Sequence, residues 1–389
     1  MAIKTFKLLD AADQTRVDSI KIGPEQVGGK ATGYQVTKST LVGGLSDGVD
    51  VIRVDNGAFS FTIVPTRGMG VWKAWHGKEL LGWNSPVPGP VHPKYVPVSE
   101  PGGLGWLDGF DELFVRCGLE SNGAPEFDKE TGRLKFPLHG RIANKPAQSV
   151  VVSVDDESGE VTVAGVVSEI RFHFLKLRMT STYKTKPGEP GFRVRDEIEN
   201  LSASPAEMQM LYHVNFGDTL LDAGARFVAP LKTVVPRNPH AATGIKTWDS
   251  YGAPEPAFAE QVYFLELLGD ATGRTRSLLK NAHGTRGVSL VYNVKQLPCY
   301  SLWKNTTAAI DGTVTGLEPG TNFPNPRSFE GEHGRVAKLP PGGKIAYDVA
   351  LESHATPGAV MAAERDIAAI QGNQKPTIHD QPLDDWCSK

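Results

Sequence analysis

Cysteine is scarce in this 389-residue chain: there are three, Cys117, Cys299 and Cys387, an odd number with no CxxC pair. That count and spacing argue against both a disulfide framework and a thiolate zinc site. The expectation is small buried hydrophobes and one tail thiol. Long apolar runs are missing too. No stretch reaches the roughly 18 residues a membrane helix needs, and the opening MAIKTFKLLDAADQTR lacks the apolar centre of a signal peptide. A reducing, cytoplasmic setting is the expectation. Neither sign of charge dominates. Forty-one Lys and Arg stand against 44 Asp and Glu, a net charge of −3. Without a basic surplus, no nucleic acid and no anionic membrane is expected as a partner.

What is abundant is turn chemistry. Glycine (42) and proline (28) make 70 of the 389 residues, about 18%, against an average of roughly 12%. Hydrophobic residues at 40% and charged residues at 22% are those of a globular chain. From Val51 the apolar period is two. Val51, Ile52 and Val54 lead to Asn56-Gly57, and Phe59, Phe61 and Ile63 return, a hairpin signature. A second hairpin spans 149–167 around Asp155–Gly159. Further strands are read at Phe172–Met179, Phe192–Ile198, Met208–Tyr212, Val262–Leu265, Val288–Tyr292 and Ile345–Val349. Short strands with turns between them indicate an all-β sandwich or barrel. The proline-rich segment from Leu80 to Pro137 reads as a long ordered loop, and 358–371 as a helix. The chain divides into an N-terminal extension (1–48), a main β domain (49–356) and a C-terminal helix and tail (357–389) that wraps or frays.

Several common chemistries lack their motifs. There is no GxxxxGK[ST], no GxGxxG before a helix, no HExxH and no nucleophile elbow. No spacing among Asp108, Asp111, Glu112 and the histidines demands a metal, and neither a metal nor another cofactor is expected. Three clusters remain. Leu138-His139-Gly140 precedes a strand. Tyr212-His213-Val214-Asn215-Phe216 ends one, and alternation puts His213 and Asn215 on one face with Tyr212 and Val214 on the other. In Gly316-Leu317-Glu318-Pro319-Gly320, Pro319 biases Glu318 to an extended backbone and Gly320 permits a turn, so the carboxylate is expected at a loop.

In order and approximate separation, His139-Gly140, His213 with Asn215 and Phe216, and Glu318-Pro319 resemble the aldose 1-epimerase (galactose mutarotase-like) superfamily. The strand Val194–Asn200 and the turn at Pro340–Lys344 resemble that family as well, and the resemblance covers roughly residues 50–355. The His139–Pro146 stretch is similar to the sugar-phosphate epimerase branch. There are departures. The family's early Arg/Asn pair has no clear counterpart, which leaves Arg67 in Pro65–Gly70 as the candidate cleft arginine. The insert containing Trp106, Asp108 and Phe110 is not standard in members acting on simple sugars, and reads as a different specificity wall or a different reaction.

The resemblance implies a β-supersandwich, a carbohydrate-binding cleft and an isomerase that opens and recloses a sugar ring. Glu318 is its implied general base and His213 its general acid, each the more stably charged for the other's presence. His139, Arg67, Asn215, Asn322 and Asp108 would bind the sugar, and Trp303 or Trp106 would stack on its face. Two alternatives stand beside this. The same acid and base serve an isomerase or lyase that removes a proton next to a carbonyl of an oxidised sugar. A non-catalytic carbohydrate-binding protein would keep the aromatics and amides without needing Glu318 and His213 together.

Overall fold

The computed structural model describes residues 2–389. Among them, strands build two large, almost wholly antiparallel sheets of ten and fourteen strands. The hairpins form where the period-two pattern places them. Asp50–Asp55 and Phe59–Val64 flank Asn56-Gly57, and the Asn56 Oδ1 accepts the Ala58 and Phe59 N–H groups to close the turn. Ser149–Asp155 pairs with Val161–Ile170. Residues before position 49 join both sheets: Ile3–Asp10 pairs with Ser149–Asp155 in the ten-stranded sheet, and Gln35–Thr40 with Asp50–Asp55 in the other.

The centre of the fourteen-stranded sheet runs Gln261–Leu267, Cys299–Asn305, Val314–Gly320, Ala206–Phe216 and Phe114–Leu119. Phe114–Leu119 lies inside the segment expected to be loop. It is buried at every residue, so it shows no alternation, and Arg116 and Gly118 interrupt its apolar run. The strand expected from Phe172 begins at Lys176 instead. Phe172 and Phe174 are exposed in the preceding turn, where the alternation runs on without a sheet to receive it. Glu318 stands within a strand, not a loop.

The two sheets are clamped across the core by charge. Arg116 donates Nε and Nη2 to Asp196 on the opposite sheet, at 2.6 and 2.9 Å. Ser181 and the Met69 carbonyl accept further guanidinium protons, and the Tyr212 hydroxyl donates to Asp196. This buried, fully hydrogen-bonded ion pair joins the two sheets, and removing one partner of such a pair costs about 3–5 kcal/mol. At the C-terminus, Pro357–Gln371 is helical, capped by Thr356, whose side chain accepts the Ala359 N–H. The tail wraps: Thr377–Ile378 adds to Leu231–Pro236, and Trp386 packs on Phe323. Cys387 is therefore a buried thiol, like Cys117 and Cys299. Among the described residues, no helix is long and apolar enough to cross a membrane.

Candidate active site

On Ala206–Phe216, Tyr212 and Val214 enter the core between the sheets, while His213 and Asn215 face outward. The neighbouring strand Val314–Gly320 pairs Leu211 with Gly320 and Val214 with Leu317, skipping the two positions between. Pro319 lies in the gap and has no N–H to give. The ladder is thus interrupted where His213 and Glu318 lie across from each other. His213 Nε2 stands 3.2 Å from Glu318 Oε1, both side chains buried. The approach is out of line for a hydrogen bond, and Oε1 is buried with no hydrogen-bond partner. Gly316, opposite Asn215, makes room for the pair: a Cβ there would lie 2.4 Å from Oε1 and 3.1 Å from His213 Cε1.

Asn215 assigns the protons of the imidazole. Its Nδ2 donates to the carbonyls of Glu112 and His213, so its Oδ1 accepts, and the atom facing it at 2.6 Å, His213 Nδ1, carries the hydrogen. Nε2 is left as the nitrogen that faces Glu318. His139 is set the same way. Its Nδ1 donates to the Asn122 carbonyl at 2.9 Å, leaving Nε2 as an acceptor. Its loop needs a left-handed backbone at both His139 (φ 55°) and Gly140 (φ 72°). A side chain at 140 would collide with the Ser121 and Gly118 carbonyls.

Burial dominates the electrostatics. It pushes the Glu318 carboxyl well above the ordinary carboxylate range, helped by the negative charge of Glu260 and opposed by the Arg237 guanidinium. It pushes His213 well down, with His139 adding to the effect, and lowers His139 to about 4. Burial thus works against the charge-stabilised pair expected from the sequence, favouring the neutral form of each group.

These groups open into a cavity of about 280 Å³. Its wall is largely aromatic and aliphatic: Trp106, Phe110 and Trp303, with Leu104, Leu107 and Leu138. Rings of Phe110, Trp303 and His139 stand edge-on to His213 at 5.3–5.4 Å. Four of these residues, Leu104 to Phe110, come from the insert, so that segment is a wall of the site.

The structure brings together Glu318, His213, His139 and Trp303 at the cavity, with Asn215 behind His213. It does not bring Arg67, Asn322 or Asp108 there. Arg67 is buried elsewhere, donating to Glu112, Asn144 and the carbonyls of Val91 and Gly109, and so tethers the insert. Asn322 exchanges amide hydrogen bonds with Asn122 at 2.8 and 2.9 Å, which steadies the carbonyl that orients His139. Asp108 is exposed on the outside of the insert's short helical turn. Sequence reasoning missed Arg237 and Glu260, which line the cavity. Arg237 follows the strand Leu231–Pro236, and a charged residue just past a strand end was the available signal. Among the described residues, no three His, Cys, Asp or Glu side chains converge as metal ligands do.

Comparison with known proteins defines the class first. The fold matches galactose mutarotase-like structures. One such protein from Clostridium acetobutylicum aligns at a TM-score of 0.57 and 13% identity, covering 82% of this chain and 98% of that one. A putative aldose 1-epimerase from Escherichia coli K12 aligns at 0.52 and 12%, covering 79% and 99%. A putative aldose 1-epimerase from Klebsiella pneumoniae is far nearer: TM-score 0.94, 33% identity, 98% of this chain and 99% of that one. The chain belongs to the family described as Domain of unknown function (DUF4432), which matches residues 46–353. No curated protein matches it.

Proposed function

We infer that this protein is an aldose 1-epimerase-like isomerase that interconverts sugar anomers by acid–base ring opening, with Glu318 and His213 as the acid–base pair. The observation that carries the reading is the buried Glu318 carboxyl, with no hydrogen-bond partner for Oε1, 3.2 Å from the free nitrogen of His213 at the wall of a cavity. Buried polar atoms are almost always satisfied, so an unsatisfied carboxyl at a cavity is a group prepared for a ligand.

Ring opening breaks the bond between C1 and the ring oxygen, makes the C1 carbonyl, moves one proton off the anomeric hydroxyl and puts one on the ring oxygen. The neutral pair supplies both ends: Glu318 gives its proton to the ring oxygen and His213 Nε2 takes that of the hydroxyl. The resulting carboxylate and imidazolium stabilise each other at this step alone. After rotation about C1–C2, closure on the other face runs both transfers backwards, with no net redox change. The roles first implied by resemblance, Glu318 as base and His213 as acid, are therefore exchanged in the opening step. His139 Nε2 accepts from a second sugar hydroxyl, and Trp303, its indole N–H held by Glu260 at 2.7 Å, presents a face for the ring.

Saturation-transfer NMR of anomer exchange on a panel of aldoses and their derivatives tests this. Wild type is expected to accelerate exchange on at least one member, and Glu318→Gln to lose about 10²–10⁴-fold. Exchange no faster than buffer across the panel, or undiminished in Glu318→Gln, rejects the reading.

A further inference from the structure

Arg237 lines the cavity wall with Glu318 and His139 and is partly buried. Among the described residues its side chain makes no hydrogen bond, ion pair or ring contact. Two fully buried arginines behave differently. Arg67 and Arg116 each satisfy several guanidinium protons on carboxylates and carbonyls. Of the two carboxyls lining the cavity, Glu260 is exposed and engaged with the Trp303 indole. Glu318, the other, makes no hydrogen bond or ion pair with Arg237 and meets it only through its long-range charge. A cationic fork of N–H donors thus faces a cavity whose remaining wall is mostly hydrocarbon, beside the acid–base pair.

We propose that Arg237 is the specificity determinant of this site and that the substrate is an aldose bearing an anionic substituent, a carboxylate or a phosphate, held by the Arg237 guanidinium. The proposal rests on the mutarotation reading for the word substrate, and on Arg237 alone for the anion. The chemistry suits it. A planar guanidinium meets either oxyanion through two parallel hydrogen bonds, and charge-assisted bonds of this kind are about twice as strong as neutral ones. An apolar surround strengthens the contact further. A neutral hexose would leave the fork unpaired against hydroxyls that match it less well. Arg237 enters from the end of Leu231–Pro236, whereas the reacting pair sits on the central strands of the same sheet, and the Arg237 charge reaches Glu318 and His139 without a hydrogen bond to either.

The test compares glucose and galactose with their uronates and 6-phosphates, using wild type, Arg237→Met and Arg237→Lys. For wild type, kcat/KM is expected to be at least about tenfold higher on one anionic series than on its neutral parent, and its KM should rise with added NaCl. In Arg237→Met the KM for that series should rise about 10–100-fold with kcat changed less than threefold. Arg237→Lys, which keeps the charge and loses the fork, should fall between. Which series responds distinguishes carboxylate from phosphate. Equal kcat/KM on neutral and anionic sugars in wild type, or the same ratio in Arg237→Met, overturns the proposal and leaves mutarotation standing. Calorimetric titration of glucuronate, glucose 6-phosphate and glucose covers the other failure. Anion binding seen in wild type and lost in Arg237→Met upholds the proposal even if no sugar is turned over; anion binding absent from wild type, or equal in both proteins, overturns it. Should Arg237→Met melt early, Arg237→Lys and the salt dependence decide.

Discussion

Asn215 Oδ1 lies 2.6 Å from His213 Nδ1, and this one contact decides which imidazole nitrogen is free to act. The amide is fixed by its own donors to the Glu112 and His213 carbonyls, so it cannot turn to offer an N–H instead. A positioning residue of this kind sets chemistry without touching substrate.

Replacing the amide by a carboxylate should therefore move a titration. In wild type, kcat/KM for exchange is expected to follow a broad bell. Its acid limb, protonation of His213, lies below the ordinary 6.5. Its basic limb, ionisation of Glu318, lies above the ordinary 4.5. The pair titrates as a unit, so the limbs are macroscopic. Asn215→Asp puts negative charge on Nδ1–H and favours the imidazolium, so the acid limb should move up by about one pH unit or more. A limb that stays in place would assign that titration to another group.

Gly316 is expected to tolerate no side chain. Its Cα faces the space that the Glu318 carboxyl and His213 ring lean across, and an alanine Cβ would meet Oε1 at 2.4 Å. Gly316→Ala should lower exchange by tenfold or more while costing about 1–3 kcal/mol of stability through overpacking. Comparing its loss with that of Glu318→Gln, alongside thermal melts, separates a displaced carboxyl from an unfolded protein. Full activity in Gly316→Ala would show that the carboxyl's position is not critical.

Asp111 supplies a test of stability that does not depend on turnover. Burial raises its pKa from 3.8 to about 7, offset in part by the Trp72 indole N–H, with Glu112 adding to the rise. The folded state therefore keeps a proton that the unfolded chain gives up. The stability this contributes is complete below 3.8 and is lost as pH rises to about 7. Asn at this position keeps an acceptor for Trp72 and never ionises. Denaturant titrations should show Asp111→Asn gaining on wild type by about 1.4 kcal/mol per pH unit across that window, then levelling. A difference flat with pH would mean that Asp111 is ionised in the fold at no cost.

Much of the site was legible because its signals are local. The period-two runs around Asn56-Gly57 and Asp155–Gly159 dictate hairpins whatever surrounds them. Alternation along Tyr212–Phe216 alone places His213 beside Asn215 and opposite Tyr212. The three motif clusters supply every group at the acid–base end of the cavity. The insert was visible as an interruption, and its aromatics as candidates for a wall. Phe114–Leu119 was illegible for the opposite reason: a strand covered on both faces carries no period, and Arg116 within it reads as a surface residue until Asp196 is seen across the core.

The sequence by itself determined an all-β chain, the order of its motifs and the residue types available for proton transfer, since these follow from periodicity, turn residues and side-chain chemistry. Only the tertiary structure decided which of those residues meet. The gap at Pro319 sets His213 against Glu318. Arg67, the arginine expected in the cleft, is consumed in tethering the insert, while Arg237, attached to no motif, lines the cavity. It also decided the charge state, because desolvation depends on what every other part of the chain packs around a group. A carboxylate and an imidazole read from the sequence as an ion pair are, once buried together, each pushed toward the neutral form.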